Sequence, residues 1–268
     1  MDVRGLTQSF PGPDRNTIEV LAGVDLAVRA GEFAALIGPS GSGKSSLFNV
    51  IAGLDRPTGG EVLIDGRAAI GHNDLVSYMP QKDLLFPWRT VVANAALGLE
   101  VQGVDRKQAR ARVAGLFEEF GLGGFERAYP AQLSGGMRQR AALLRTVAMD
   151  RPVLLLDEPF GALDSLTRTQ MQLWLAGMCE RFNWTVLLVT HDIREAVFLA
   201  DTVHVLSARP ATVTARIEVP FGRPRTAATF RLGEFAELEQ AVLEALGGQG
   251  GQGAEGGQGE GEGEGGNR

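Results

Sequence analysis

An apolar run, "FAALIG" at residues 33–38, passes directly into "GPSGSGKSS" and then into the helical-looking "SSLFNVIAGL". The stretch from Gly38 to Ser46 contains G-x-x-x-x-G-K-[ST], filled by its first eight residues, and the order strand, glycine loop, helix is the context that gives the pattern meaning. Gly41 and Gly43 let backbone amides turn inward on phosphate oxygens with no Cβ in the way, and the helix amino terminus adds positive potential. Gly38, Pro39, Ser40, Ser42 and Ser46 complete the loop. Lys44 is placed to hold β- and γ-phosphates, and Ser45 to offer a hydroxyl to Mg²⁺, a cation that keeps its waters and borrows few protein oxygens. A chain built this way is expected to fold as α/β.

Two more apolar runs end in polar residues, "VLLLDEP" at 153–159 and "TVLLVTH" at 185–191. With the first run they read as buried strands, and in an open parallel sheet the carboxyl ends of such strands converge on one crevice. Asp157 and Glu158 leave the second run together. Neighbouring side chains on a strand point to opposite faces, but a backbone turn at the strand end can bring both to one crevice. Asp157 then suits the magnesium shell and Glu158 suits polarising an attacking water. His191 ends the third run where a γ-phosphate sensor would stand. His72 and His204 have no neighbours at metal-ligand spacing and receive no role.

Between the first and second runs lies "DRKQARARVAGLFEEFGL", in which Asp105 is placed to cap a helix whose Val113, Leu116, Phe117 and Phe120 face inward. The expected fold is an α/β core interrupted by a helical subdomain at about 83–147, the whole unit covering 1–246. "GEFAELEQAVLEAL" closes it with Phe235, Leu238, Val242 and Leu246 on one face. Residues 247–268 are glycine- and glutamate-rich and lack the apolar surface to offset ordering entropy, so they are expected to be disordered.

The chain has 268 residues, 44% hydrophobic and 22% charged, in keeping with a soluble globular protein. No run approaches the length of a membrane span. The net charge of −6 gives no basic footprint for nucleic acid. The single cysteine, Cys179, lies in a helical-looking stretch and reads as a packing residue compatible with a reducing cytoplasm.

"LSGGMRQR" at 133–140 is a second anion site of a different kind. Ser134 can cap the helix that follows, and Gly135 and Gly136 leave its first amides bare. Two such cradles on separate subdomains cannot close on one γ-phosphate in a single chain. Two chains arranged head to tail can close them.

In "GPSGSGKSS", "YMPQKDLLFPW", "LSGGMRQR", "VLLLDEPFGALDSL" and "VTHD", taken in this order, residues 3–220 resemble the ATP-binding subunits of ABC transporters. The resemblance implies a P-loop NTPase core of the ABC type with a mainly parallel sheet, an antiparallel β subdomain and an inserted helical subdomain. It implies ATP and Mg²⁺ as cofactors, Gln81 as a glutamine contributing to catalysis and to the metal, Asp164 in a loop beside the nucleotide, and Phe10 stacking on adenine. Ser46 stands where threonine is commoner and still supplies a hydroxyl for a phosphate. The implied partners are a second ATP-binding subunit, an integral membrane permease at the cytoplasmic face and, through it, an extracytoplasmic solute-binding protein, with no nucleic acid. "QKDLLFPWRTVVANAALGLE" is most similar to subunits serving importers of nitrate, sulfonates, taurine or pyrimidine precursors. The cluster Leu84, Leu85, Phe86, Pro87 and Trp88 fits either a permease helix docking there or the interior of the helical subdomain. A soluble ABC-type ATPase working without a permease is the alternative function.

Overall fold

The computed structural model describes residues 1–13, 16–72 and 74–247. The glycine-rich segment expected to be disordered therefore lies outside the described residues, apart from Gly247, which ends the last helix.

Among the described residues, ten strands and eight α-helices follow one another. The strands are β1 (Asp2–Pro11), β2 (Thr17–Ala27), β3 (Phe33–Ile37), β4 (Gly59–Ile64), β5 (Arg67–Ala68), β6 (Val76–Met79), β7 (Val153–Asp157), β8 (Thr185–Val189), β9 (Thr202–Leu206) and β10 (Val213–Glu218). The helices are α1 (Lys44–Ile51), α2 (Val91–Ala95), α3 (Leu97–Val101), α4 (Arg106–Ala114), α5 (Gly135–Val147), α6 (Ser165–Phe182), α7 (Ile193–Leu199) and α8 (Gly233–Gly247).

β1, β2, β4 and β5 make an antiparallel sheet in the order β2-β1-β4-β5, and the other six make a second sheet in the order β10-β9-β3-β8-β7-β6. In the second sheet every pairing is parallel except that of the edge strand β10 with β9. The three apolar runs of the sequence are β3, β8 and β7, side by side at its centre. They read as unbroken apolar runs because both faces of this sheet are covered. Phe33, Ala35 and Ile37 pack with Leu154, Leu156, Val186 and Leu188 on one face, in a core shared with Val113 of α4, Phe117 in the turns that follow it, and Ala141 and Leu144 of α5. Ala34 and Leu36 pack on the other face with Leu155, Leu187, Leu47 and Phe48, and there the antiparallel sheet adds Val3, Leu6, Val20 and Val24. Each such valine, leucine, isoleucine or phenylalanine side chain removed from water stabilises the fold by roughly 1.5–3 kcal/mol.

The helices α2 to α5 all lie between β6 and β7 in the chain. Asp105 caps α4 by accepting from the amides of Lys107 and Gln108 at 2.9 and 3.2 Å. Val113, Phe117 and Phe120 are buried, whereas Leu116 is only half-buried at the edge of the core. α8 turns Phe235 and Val242 into the core and leaves Leu238 and Leu246 at its margin. Cys179 is buried in α6, and burial pushes its thiol up to about 12, which suits packing and not nucleophilic chemistry. The cluster after Gln81 divides between its two readings. Leu85 is buried in the core, while Leu84, Phe86 and Trp88 are exposed.

Candidate functional site

Because β3, β8 and β7 run parallel and adjacent, their carboxyl ends present the phosphate loop, the 190–192 turn and the Asp157–Glu158 pair to one crevice. A cleft of about 500 Å³ opens there, lined by Ser40, Gly41, Ser42, Gly43, Lys44, Ser45, Ser46, Glu158, His191 and Arg209.

The loop's conformation depends on glycine at two points. Gly41 and Gly43 have φ of 76° and 108°, and a Cβ on Gly43 would come within 2.7 Å of Val20 in β2. Gly43 caps α1 with no side-chain hydrogen bond, and no acidic residue occupies the helix's first turn. The amide end of α1 is thus left to an external anion. The Lys44 ammonium donates to the carbonyls of Gly38 and Pro39, each at 2.8 Å. Burial draws its pKa below the ordinary lysine value, opposed by the negative fields of Glu158 and Asp157.

Glu158 leaves β7 with φ of 44°, in the left-handed region, and its amide donates to the Val189 carbonyl of β8 at 2.8 Å. That turn places two acidic residues at one crevice. Nε2 of Gln81 donates to Oε2 of Glu158 at 2.8 Å, and Nδ1 of His191 lies 3.1 Å from Oε1. Each carboxylate oxygen thus has its own partner. Asp157 accepts from the Tyr78 hydroxyl at 3.1 Å. Burial raises the Asp157 pKa and Glu158 adds to the shift, while the Tyr78 hydrogen bond and Lys44 oppose it. Tyr78 itself is pushed up by burial and by Asp157.

The serine-glycine turn does not line this cleft. Ser134 caps α5 by accepting from the Met137 amide at 3.3 Å, and the first turn of α5 carries no acidic residue. A Cβ on Gly135 would touch Leu163 at 3.4 Å, and one on Gly136 would press on Thr167 at 3.0 Å. The turn therefore packs on the loop that contains Asp164, whose carboxylate caps α6 by accepting from the Thr167 amide at 3.0 Å. That hydrogen bond holds its carboxyl below the ordinary aspartate value. Phe10 lies outside the cleft lining too. It sits on β1 opposite Ile18, 37% exposed, while Val20 and Leu21 of the partner strand touch the phosphate loop at Gly43. His204 is buried, its pKa lowered by burial, and it stands away from the cleft, while His72 is exposed on the surface.

Two residues at the crevice received no role from the sequence. Tyr78 reaches Asp157 because β6 pairs with β7. Arg209, in the turn between β9 and β10, donates to the Gly41 carbonyl at 2.8 Å. Neither spacing nor periodicity marks them, since sheet pairing and a tertiary turn bring them in.

Among the described residues no helix is long and apolar enough to cross a membrane, and no group of three or more His, Cys, Asp and Glu side chains is set to hold a metal. Beside Lys44 stand instead the carboxylates of Glu158 and Asp157, whose fields act on its ammonium, and the Ser45 hydroxyl, while the Gln81 side chain contacts Glu158. Such an oxygen set fits Mg²⁺, which binds through one or two carboxylates plus substrate phosphates.

Residues 21–161 match the family model described as ABC transporter. An uncharacterized ABC transporter ATP-binding protein of Methanocaldococcus jannaschii is 41% identical over 247 residues, covering 92% of this chain and 91% of that one. The formylaminopyrimidine import ATP-binding protein ThiZ of Halalkalibacterium halodurans is 45% identical over 75% of this chain and 78% of its own. The nitrate import ATP-binding protein NrtD of Synechocystis sp. is 40% identical over 82% of each. Among solved structures, the dimeric ABC transporter cassette MJ0796 superposes with a TM-score of 0.71 at 31% identity, covering 82% of this chain and 99% of that one. A post-hydrolysis dimer of MJ0796 bound to ADP and Pi gives 0.70 at 30% identity, with the same coverage.

Proposed function

Since the chain belongs to the ABC transporter family and is an ATPase of that family, we propose that it is the ATP-hydrolysing subunit of a solute importer, closing head to tail with a second ATP-binding subunit around two ATP and driving a membrane permease. The observation that carries this reading is the grip of Gln81 and His191 on the two oxygens of Glu158, beside the phosphate loop.

In this reading the loop amides from Gly38 to Ser46 cradle the phosphates, and Lys44 exchanges its two carbonyl partners for β- and γ-phosphate oxygens. Ser45, Asp157 and Gln81 would hold Mg²⁺, which neutralises charge on the phosphates when bound. Glu158 accepts a proton from the attacking water. Gln81 and His191 fix the direction in which its lone pairs point, and His191 also senses the γ-phosphate. Ser134, Gly135 and Gly136 present the open end of α5 to the ATP held by the partner subunit, with Asp164 beside them at the junction, and Phe10 stacks on adenine. The helices between β6 and β7 form the arm, about 83–147, that carries the second cradle.

The permease partner is supported by a groove of about 830 Å³ whose walls include Leu54, Leu84, Phe86, Leu97, Val101 and Met149. Phe86 and Trp88 stack there with centroids 5.1 Å apart. Tyr78 and Pro80 also line the groove, and Tyr78 donates to Asp157, so the groove's occupant borders the catalytic crevice. An amphipathic permease helix is the occupant this shape takes. The resemblance to nitrate and formylaminopyrimidine import subunits supports an importer of that type, at the cytoplasmic face of the membrane. A solute-binding protein outside the cell would reach this subunit only through the permease.

Membrane sedimentation tests the partner. The chain should pellet with membranes containing its permease and should not be retained by bare anionic vesicles at physiological salt. Leu84→Asp should abolish the first association and keep ATPase activity, because aspartate tolerates the left-handed backbone found at Leu84, φ 46°. Retention by bare vesicles, or a wholly soluble chain in cells that make the permease, would favour an ABC-type ATPase acting without one.

A further inference from the structure

β9 pairs in parallel with β3, whose end opens the phosphate loop, so the turn after β9 emerges beside that loop. The approach is close. A Cβ on Gly38 would lie 3.0 Å from the Cβ of Leu206, the last residue of β9. Three positions later Arg209 reaches into the cleft and donates Nη2 to the Gly41 carbonyl at 2.8 Å.

Two features of this contact point to a ligand. A carbonyl oxygen at the rim of a phosphate cradle repels an incoming polyphosphate, and a guanidinium laid on it turns that repulsion into attraction. A guanidinium also has five N–H donors in a planar fork matched to phosphate oxygens, and the bond to Gly41 uses one of them. Arg209 is exposed and lines the cleft, so its other donors are open to an incoming ligand. The cleft needs this charge. Of its lining residues, Lys44 and Arg209 are the permanent cations among those described, and Lys44 already faces the fields of Glu158 and Asp157.

We propose that Arg209 is a nucleotide-contacting residue, a second cation that binds the phosphate chain of ATP within the cleft of its own subunit. The inference rests on the reading of that cleft as the ATP site, and it adds a contact from the β9–β10 turn that the phosphate-loop pattern does not contain.

Calorimetric titration of the full chain with ATP and AMP, at low and at raised salt, tests it in wild type, Arg209→Ala, Arg209→Gln and Lys44→Ala. Losing one charge-assisted contact in a partly exposed site should weaken ATP binding by about tenfold in both Arg209 variants. AMP should lose less, the salt dependence should become shallower, and the melting temperature without nucleotide should stay unchanged. Glutamine can still donate to the Gly41 carbonyl but carries no charge. Wild-type affinity in Arg209→Gln would therefore overturn the proposal and leave only a loop-positioning role. Unchanged ATP affinity in both variants would overturn it as well. If wild type fails to bind ATP, or Lys44→Ala binds it normally, the ATP-site reading itself falls and this inference falls with it. That pattern is distinct from one in which Lys44→Ala is impaired and the Arg209 variants are not.

Discussion

The side-chain amide of Gln81 donates to the carboxylate of Glu158 at 2.8 Å across 77 positions of sequence. Gln81 stands beside Leu84, Leu85 and Phe86, which line the groove, so one short loop contacts both the Glu158 carboxylate and the groove wall. That loop is also tied to α5. Arg145 donates to the carbonyls of Asp83 and Leu84 at 2.6 and 2.8 Å, and Arg138 approaches the Asp83 carboxylate at 3.3 Å. One loop thus joins the groove wall to Glu158 and to α5, the helix that carries the second cradle.

A composite site requires that damage on two chains combine in a defined way. In a mixed dimer of one Lys44→Ala chain and one Gly135→Asp chain, one nucleotide site should carry both defects and the other none. The aspartate would sit at the open end of α5 and repel phosphate across the interface, while each single-mutant homodimer is damaged at both sites. Nucleotide trapping should find one occupied site in the mixed dimer. Trapping in neither site, or in a Gly135→Asp homodimer as in wild type, would remove the head-to-tail arrangement.

A second expectation concerns pH. Glu195, on α7 just after His191, is buried, and burial with the field of Asp192 pushes its carboxyl up to about 8, against the hydrogen bonds of Gln172 and Thr190 and the charge of Arg168. The folded state thus keeps a proton that the unfolded chain releases above the ordinary glutamate value of 4.5. This contribution is complete below that value, falls away between it and about 8, and is constant beyond. The slope in the window is at most about 1.4 kcal/mol per pH unit, and Asp157, also raised, adds in the same direction. Glu195→Gln should flatten the decline measured by denaturant unfolding at several pH values. An identical pH profile in the variant would show that Glu195 is ionised in the folded state.

The parts of this site that were legible in sequence are those in which local pattern and chemistry coincide. "GPSGSGKSS" needs its glycines for positive φ and its lysine for charge, and both needs are written in adjacent positions. The unbroken apolar runs of β3, β7 and β8 report a sheet covered on both faces, and their polar ends report the crevice. What remained hidden depends on partners distant in sequence. Tyr78 matters because β6 lies next to β7, and Arg209 because β9 ends beside the phosphate loop, facts of sheet order that no single segment encodes. The cluster after Gln81 could be assigned to core or surface only in three dimensions, where Leu85 turns inward and its neighbours outward. Leu116 packs only half-buried at the edge of the core, and it lies with Phe117 and Phe120 in turns beyond Ala114, where the helical face drawn through them has no helix to carry it.

Hydrolysis and nucleotide retention measured together on Glu158→Gln test the catalytic assignment most directly. The substitution keeps the shape of the side chain and its contact with Gln81 but removes the carboxylate that would take a proton from water. ATP binding should persist while turnover falls by roughly 10²-fold or more, the scale of a positioned general base. Turnover near the wild-type rate in Glu158→Gln would contradict the role given to the carboxylate held by Gln81 and His191.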